Sequence, residues 1–234
     1  MIEVRDLRFA YPDGRPALAG VSFAVAAGES VGLVGPNGAG KTTLFLCLCG
    51  VLRGAPGCVS IADLDPANTG QRKQLPARVG VVFQDSDDQL FSSTVGDDVA
   101  FGPLNLGLSP DEVRARVAEA LGKVGMTGQD DRVPFQLSGG EKRRAALAGV
   151  LAMRPEVLLL DEPSMFLDPR GRRELIRLIN ALPGTKLIAS HDLALVRDTC
   201  SRVVVIDGGR VVAEGPAGLM KDAGLMERHG LEAV

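Results

Sequence analysis

The sequence predicts an α/β protein whose core is a largely parallel sheet, with an antiparallel β flap at its start and an inserted helical lobe. Three apolar runs, at residues 157–160, 186–189 and 203–206, have the length of buried strands, and a helical pattern at 171–182 separates the first two. Alternation of this kind is typical of parallel strands joined by crossover helices. A fourth apolar run, Ser30–Val34, leads directly into a glycine-rich loop, which places that loop at the carboxyl end of a strand.

The flap is predicted by the beginning of the chain. Residues 2–9 and 18–25 alternate apolar and polar side chains, which is the pattern of half-buried antiparallel strands. Pro12, Asp13 and Gly14 lie between the two segments and favour a turn. The chain is therefore expected to begin with a β hairpin rather than with a strand of the parallel core.

The glycine-rich loop at residues 35–42 reads Gly-Pro-Asn-Gly-Ala-Gly-Lys-Thr, which is the spacing of a phosphate-binding loop. Its glycines let the backbone approach phosphate oxygens, and a helix predicted at 41–49 points its N-terminus at them. Lys41 supplies a charge for the β- and γ-phosphates, and the Thr42 hydroxyl can ligate Mg²⁺. The loop therefore predicts a nucleoside triphosphate site. The residues expected to line it are Gly35, Pro36, Asn37, Gly38, Ala39, Gly40, Lys41, Thr42 and Thr43.

Helices are predicted for the middle of the chain, because residues 84–155 show no strand pattern. Ser109, Pro110 and Glu112 form a helix start, with a serine N-cap, a proline at the first helical position and a glutamate at the third. That helix is expected to end near residue 124. The segment therefore predicts a helical lobe inserted into the α/β core.

Two carboxylates follow the apolar run at 157–160. Asp161 and Glu162 lie where a parallel strand ends, and open α/β sheets bind their ligands at such ends. Asp161 has the oxygen chemistry that Mg²⁺ prefers, directly or through water. Glu162 can polarise an attacking water or accept its proton. A solvated strand end is the alternative interpretation, and the phosphate-binding loop favours the catalytic one.

A second helix start, Leu-Ser-Gly-Gly-Glu at residues 137–141, precedes a helix expected to end near residue 153. Taken alone, it is compatible with an ordinary serine-capped helix. Together with the phosphate-binding loop and the carboxylate pair, it resembles the ATP-binding cassette family, the ATPase subunits of ABC transporters. The resemblance covers residues 11 to about 215. It implies a P-loop NTPase with a RecA-like core, ATP and Mg²⁺ as cofactors, and ATP hydrolysis as the activity.

The resemblance also implies a domain organisation, with one cassette domain over residues 1–234. Residues 1–83 and 156–215 would form the α/β core with its flap, and about 84–155 would form the helical and signature lobe. Residues 216–234 would form a C-terminal tail, for which two short helical turns are expected.

Single residues acquire roles from the same resemblance. Gln84 follows the strand predicted at 79–83 and would reach the metal and the attacking water. His191 would contact the γ-phosphate. Tyr11 would stack on adenine, with an edge-packing role as the alternative for its ring. His229, the other histidine, is expected at the surface. The implied catalytic residues are Lys41, Gln84, Glu162 and His191, and the implied metal ligands are Thr42, Gln84 and Asp161.

The signature block implies a second subunit. Ser138, Gly139 and Gly140 would complete the γ-phosphate site of an opposite chain, and Asp168 would lie at the same interface. Because the chain has one phosphate-binding loop and one signature, two composite sites need two chains related by twofold symmetry. A homodimer is expected, with a heterodimer containing a second cassette as the alternative. The Met-Phe pair at 165–166 replaces the small residues that are common there.

Composition and charge narrow the classes of protein to which the chain can belong. The net charge of −3 offers no basic footprint for nucleic acid, and no apolar run approaches the ~18 residues that span a bilayer. The first residues lack a signal-peptide pattern. We therefore expect a cytoplasmic chain held at the cell membrane, as a peripheral subunit, by membrane partners. The four cysteines lack zinc-ligand spacing and are expected to act as small buried hydrophobes.

Residues 85–95 and 98–108 resemble the energy-coupling-factor ATPases, especially their cobalt and nickel uptake branch. In that branch the segment receives coupling helices of a membrane scaffold protein, which works with a substrate-specific membrane component. Ser93 and Gly96 depart from the usual pattern. Mixed acidic and apolar side chains suit a basic amphipathic helix, with a solvated run of charges as the alternative. The side chains concerned are Asp85, Asp87, Asp88, Leu90, Phe91 and Val95.

The resemblance implies import of a small solute, with cobalt or nickel as the expected cargo. The ATPase of a vitamin-type coupling-factor transporter, or of another ABC transporter, is the alternative. A soluble cassette ATPase of DNA repair or translation is less favoured, because the chain carries neither a long coiled-coil insertion nor a second cassette. A degenerate, inactive subunit is disfavoured because Lys41, Asp161, Glu162 and His191 are all present.

Overall fold

A six-stranded sheet forms the centre of the computed structural model, which describes residues 1–234. The strands of the protein are β1 (Ile2–Ala10), β2 (Pro16–Val25), β3 (Ser30–Val34), β4 (Val59–Ile61), β5 (Val79–Val82), β6 (Val157–Asp161), β7 (Thr185–Ala189), β8 (Arg202–Asp207) and β9 (Arg210–Pro216). The helices are α1 (Lys41–Leu48), α2 (Thr69–Arg72), α3 (Leu75–Arg78), α4 (Val95–Asn105), α5 (Pro110–Lys123), α6 (Gly139–Ala152), α7 (Pro169–Ala181), α8 (Leu193–Thr199) and α9 (Ala223–Arg228).

The central sheet has the order β5-β6-β7-β3-β8-β9, and every neighbouring pair is parallel except β8 and β9. The predicted parallel α/β core is confirmed. Ala189 of β7 is in register with Leu33 of β3 on one side and Asp161 of β6 on the other. The carboxyl ends of these three strands therefore lie at one level, where the phosphate-binding loop and the carboxylate pair meet.

Each central strand is buried on both faces, which explains its continuous apolar sequence. In β6, Leu158 and Leu160 pack into a core shared with the helical lobe, whereas Val157 and Leu159 pack into a core shared with the flap and α1. Successive side chains of a strand point to opposite faces, so one strand serves both cores. This arrangement holds the end of β6 firmly on both sides.

The predicted flap is confirmed and is larger than expected. β1 pairs with β2 in antiparallel fashion, and β4 joins the other side of β1. The sequence analysis did not predict β4 or β9. β4 has three residues, too few for a period to emerge, and β9 is a largely exposed edge strand that pairs only with β8.

Residues 84–155 contain α4, α5, a 3₁₀ turn at Pro134–Gln136 and α6, and no strand. Ser109 caps α5 with the predicted reciprocal bonds to Glu112. None of the helices combines the length and the apolar character that crossing a bilayer requires. All four cysteines are free thiols, and burial raises the pKa of Cys47 to about 12 and of Cys200 to about 11.

The tail forms the two expected helical turns, a 3₁₀ turn at Ala217–Lys221 and α9. Met220 and Met226 are buried against the core. His229, predicted at the surface, is partly exposed and contacts another element of the chain. Its ring Nδ1 lies 2.9 Å from Asp207 Oδ2, and only 21% of its side chain is exposed. The tail folds back over the end of β8, a long-range contact that the local sequence does not encode.

Candidate active site

The phosphate-binding loop joins β3 to α1 at the carboxyl edge of the sheet. Gly40 has φ 104° and no side chain caps α1, so the amides of the first turn remain available for a ligand. A Cβ at Gly35 would lie 2.1 Å from the Ile206 carbonyl oxygen, and one at Gly40 would lie 2.7 Å from the Ala17 carbonyl oxygen. Close backbone packing therefore requires glycine at both positions.

Lys41 is held inside the loop that it follows. Its ammonium donates to the carbonyl oxygens of Gly35 at 2.6 Å and Pro36 at 3.1 Å, and the residue is 8% exposed. Burial lowers the pKa of Lys41, while the carboxylates of Glu162 and Asp161 act in the opposite direction. The loop thus presents a positive charge next to two negative ones.

Thr42 and Asp161 form a pair across 119 positions of the chain: the Thr42 hydroxyl donates to Asp161 Oδ2 at 2.9 Å. Asp161 is 1% exposed, and its Oδ1 has no hydrogen-bond partner. Burial raises the pKa of Asp161 in spite of the Thr42 hydrogen bond. A buried carboxylate oxygen without a partner is costly, and a hard cation would satisfy it. The hydroxyl and carboxylate oxygens therefore fit Mg²⁺.

Glu162 turns away from Asp161 and towards the end of β7. Its backbone is left-handed, with φ 47°, and its carboxylate accepts from the Ser190 hydroxyl at 3.0 Å and from the His191 amide at 3.1 Å. His191 Nδ1 lies 2.7 Å from Glu162 Oε2. Local sequence patterns predict Glu162 and His191 as separate site residues and give no signal for Ser190. Their direct contact is a product of the alignment of β6 with β7.

Gln84 lies at the rim of the same cavity, immediately beyond β5 and Phe83. Its side-chain amide donates to the Met165 sulfur at 3.4 Å. Met165 was noted in the sequence only as a departure from the expected pattern. In this structure it contacts the glutamine that was expected to face the metal.

Tyr11 is anchored beside the loop. Its hydroxyl is hydrogen-bonded to the Thr43 hydroxyl at 2.9 Å, and the Phe9 ring packs edge-on against it with centroids 5.3 Å apart. The Arg15 guanidinium lies 5.2 Å from the ring centroid, a cation–π arrangement that the sequence analysis did not predict. The Tyr11 ring therefore packs edge-on against Phe9 and also lines the nucleotide cavity, so both of its predicted roles are compatible with its position.

One cavity of about 640 Å³ gathers most of the predicted site residues. They are Tyr11, residues 35–43, Gln84, Asp161, Glu162 and His191. Ser138, Gly139, Gly140 and Asp168 are not among them and line a separate cavity of about 520 Å³. A single chain therefore does not bring the signature block to its own phosphate-binding loop.

Ser138 and Asp168 also have local structural roles. Ser138 caps α6 through a reciprocal arrangement with Glu141, and Asp168 Oδ1 accepts from the Gly171 amide at 2.6 Å to cap α7. Both caps satisfy backbone groups at helix N-termini. The simple capping interpretation of the signature serine is thus correct at the level of one chain, and it is compatible with a further role at a second chain.

Arg143 is a buried charged residue that the sequence analysis missed. It lies in α6, is 2% exposed, and donates to the carbonyl oxygens of Phe83, Gln84 and Glu162. One signal was available. Arg143 lies three and four positions before Ala146 and Leu147, on the apolar stripe of the helix, where a charge must find partners inside the protein.

A third cavity, of about 600 Å³, lies between α4, α6 and the segment before α4, and we call it the groove. Asp88, Leu90 and Phe91 line it as predicted for a partner surface. Phe91 and Phe101 are 64% and 51% exposed and pack edge to face. The groove therefore presents apolar surface to the outside.

Three predicted members of that surface lie elsewhere. Val95 is fully buried, Asp87 forms an ion pair with Lys142 at 2.6 Å, and Asp85 does not line the groove. Asp98, which was not among the predicted residues, lines the groove together with Asp88. It is 8% exposed, its Oδ1 accepts from the amides of Phe91 and Ser92, and its Oδ2 has no partner. The start of α4 turns Asp98 towards the groove and Val95 away from it.

Comparisons with known proteins identify relatives of this chain. The family model described as ABC transporter matches residues 18–165. The energy-coupling factor transporter ATP-binding protein EcfA of Methanothermobacter thermautotrophicus is 50% identical over 237 residues, covering 99% of this chain and 76% of the relative.

Two solved structures have nearly the same fold. One is cbiO1 from Clostridium perfringens, described as part of the ABC transporter complex cbiONQ, with a TM-score of 0.84, 37% identity, and coverage of 97% of this chain and 93% of the other. The second is the ATP-binding cassette MJ0796, a dimer in a post-hydrolysis state bound to ADP and Pi. It has a TM-score of 0.85 and 25% identity, covering 93% of this chain and 99% of the other.

Proposed function

The chain belongs to the ABC transporter family of ATP-binding proteins, and from this premise we propose that it powers an energy-coupling-factor importer for a transition-metal ion, cobalt or nickel. As a family member it binds and hydrolyses ATP. The observation that carries the proposal is that one chain has both a nucleotide cavity, lined by the phosphate-binding loop and the carboxylate pair, and an apolar groove that contains an unpartnered carboxylate oxygen. The cargo rests on the resemblance of residues 85–108 to the metal-uptake branch.

Hydrolysis is proposed to proceed by phosphoryl transfer to water, with the protein supplying position and charge. The free amides at the start of α1 and the Lys41 ammonium would bind the phosphates. Thr42 and Asp161 would hold Mg²⁺, which supplies charge neutralisation at the phosphates when it is bound.

Glu162 is proposed to polarise the attacking water and accept its proton. Ser190 and the His191 amide fix the orientation of the carboxylate, so little reorganisation is needed at the moment of reaction. His191, whose side chain is 65% exposed and whose ring contacts Glu162, is proposed to contact the γ-phosphate. Gln84 would leave Met165 to face the metal and the water.

A second cassette is proposed to complete each site. The signature cavity and the nucleotide cavity share no residue, which supports a signature that acts on another copy's nucleotide. Twofold symmetry would generate two composite sites from two identical chains. The dimeric relative bound to ADP and Pi supports this arrangement.

The groove is proposed to receive a basic amphipathic helix of a membrane scaffold protein. Its apolar walls would cover one face of such a helix, as helix-in-groove recognition requires. The unpartnered Asp98 Oδ2 would accept from a lysine or arginine of the helix, and Asp88 adds a second negative charge at the rim. The groove would thus attach the ATPase to the membrane.

Reconstitution tests the proposal as a whole. Membrane proteins that co-purify with the tagged chain would be placed in vesicles with ATP on the side of the cassette. We expect ATP-dependent accumulation of Co²⁺ or Ni²⁺ that Glu162→Gln abolishes. ATP-dependent uptake of another solute, with neither metal transported, would contradict the cargo and leave the ATPase role intact.

Asp98→Asn tests the docking surface. The change keeps the oxygen that accepts from Phe91 and Ser92 but removes the charge, so the fold is expected to persist. Affinity for the membrane partners should fall by at least about tenfold, because a desolvated cation would lose its counter-charge. The measurement is titration of the detergent-solubilised partners at physiological salt, beside the ATPase rate of the isolated protein.

The matched control is Asp111→Asn, which removes an exposed aspartate that pairs with Arg114 on α5. This control should assemble normally. Unchanged assembly of the Asp98 variant would remove the groove from the proposed interface. Loss of the isolated ATPase rate in the same variant would show damage beyond docking.

A further inference from the structure

The Arg143 guanidinium connects three segments of the chain at one point. Its Nη1 donates to the Phe83 carbonyl oxygen at 2.5 Å, and its Nη2 donates to the carbonyl oxygens of Gln84 at 2.6 Å and Glu162 at 3.3 Å. Phe83 and Gln84 follow β5, and Glu162 follows β6. One side chain of the signature helix α6 therefore hydrogen-bonds to the backbone of Gln84 and of Glu162, the two residues whose side chains are proposed to be catalytic.

The backbone that Arg143 holds needs such support. Glu162 has φ 47°, a left-handed conformation that persists in a non-glycine residue only where the surroundings impose it. Gln84 lies in a loop with its side chain exposed. The guanidinium is planar and presents its donors in a rigid fork, so it fixes the direction as well as the distance of its acceptors.

Charges around Arg143 favour its position. Burial lowers the pKa of the Arg143 guanidinium, and the nearby carboxylates of Asp161, Asp85 and Glu162 oppose that effect by stabilising its positive charge. Arg143 does not line the nucleotide cavity, so it is not expected to touch the substrate. Its influence on the reaction must pass through the residues that it holds.

The C-terminal part of α6 forms a wall of the groove through Ala146, Gly149 and Val150, and Met153, which directly follows the helix, extends that wall. The signature serine is the N-cap of the same helix. One helix therefore extends from the signature cavity past Arg143 to the groove. A helix in the groove that shifts α6 would move the Arg143 fork, and the carbonyl groups bound to it, in the same motion.

We propose that Arg143 is a positioning residue for ATP hydrolysis, which orients Gln84 and Glu162 through their backbone and couples them to the placement of α6. The inference rests on the proposed roles of those two residues. It predicts that loss of the fork slows the chemical step more than it weakens nucleotide binding, because the phosphate-binding loop is held by other contacts.

The test compares Arg143→Met, Arg143→Lys and the control Arg116→Met in the full chain. Arg116 also donates to two backbone carbonyls at the end of α6, those of Ala152 and Met153, but it lies far from the catalytic segments. For Arg143→Met we expect kcat to fall about 10²-fold, the cost of a misplaced catalytic group, with the Kd for ATP little changed. Arg143→Lys should lie between this variant and the wild type, because an ammonium keeps the charge without the fork. Arg116→Met should match the wild type.

Amide hydrogen exchange supplies a readout independent of turnover. Protection at residues 83–85 and 162–164 should fall in the Arg143 variants and not in the Arg116 control. Wild-type kcat in Arg143→Met, or a parallel loss of kcat and ATP binding, would overturn the inference. If Arg143→Met does not fold, the lysine variant decides: wild-type kcat together with wild-type protection would overturn the inference.

Glu162→Gln, measured in parallel, separates the positioning role of Arg143 from the proposed catalytic role of Glu162. If Glu162→Gln loses turnover while the Arg143 variants keep it, the positioning role is wrong and the proposed role of Glu162 stands. If Glu162→Gln keeps turnover, the proposed function of Glu162 fails, and with it the reason for the effect expected at Arg143.

Discussion

Glu162→Gln is expected to bind ATP normally and to lose hydrolysis by about 10²–10⁴-fold, the contribution typical of a general base. The amide oxygen can still accept from Ser190 and from the His191 amide, so the local structure should be retained. What the variant loses is the group that accepts a proton from water. The phosphate-binding loop, Lys41 and the Thr42–Asp161 pair remain, and ATP should therefore accumulate in a closed dimer.

We would measure hydrolysis by phosphate release, ATP affinity by equilibrium binding, and dimer formation by size-exclusion chromatography with ATP. Glu156→Gln is the matched control, because this glutamate lies just before the other end of β6 and pairs with Arg78 at the surface. The control should hydrolyse ATP at the wild-type rate. Near-normal hydrolysis by the Glu162 variant would remove that residue from the chemical step.

Mixing two inactive variants is expected to restore activity if the sites are composite. Lys41→Ala removes the phosphate charge partner, and Ser138→Arg fills the signature cavity that must admit the other chain's nucleotide. In a mixed dimer, the intact Lys41 of one chain faces the intact Ser138 of the other, so one of two sites is complete. Random pairing of equal amounts makes half the dimers mixed, which limits recovery to about one quarter of the wild-type rate.

The control must separate dimer closure from helix capping, since Ser138→Arg also removes the N-cap of α6, worth about 1 kcal/mol. Ser109→Arg removes the equivalent capping box of α5, outside the signature cavity. It should lower stability by a similar amount and leave hydrolysis intact. A mixture no more active than the sum of its two components would contradict completion of the site by a second chain.

Local patterns in the sequence were sufficient for several parts of this protein. The phosphate-binding loop was readable because its function depends on backbone shape, and glycine at fixed positions determines that shape. The capping box at Ser109 was readable because both of its partners lie within one helical turn. The buried strands were readable because each is apolar on both faces.

Other parts depend on residues that are distant in the sequence. The contact of Glu162 with Ser190 and His191 spans about 28 positions and follows from the pairing of β6 with β7, which no local pattern specifies. The strand β4 was missed because it is short and is stabilised by β1 rather than by its own sequence. The contact of His229 with Asp207 could not be predicted locally, because the two residues lie on different elements.

The sequence by itself determined the fold class, the phosphate-binding loop and the residue types of the site, because these follow from backbone conformation and from the periodicity of burial. The tertiary structure alone decided which side chains meet. It placed Arg143 on three carbonyl groups, directed Asp98 rather than Val95 into the groove, and kept the signature block away from the loop of its own chain. The physical reason is that these contacts depend on how strands and helices pack over long distances, and packing is a property of the whole core.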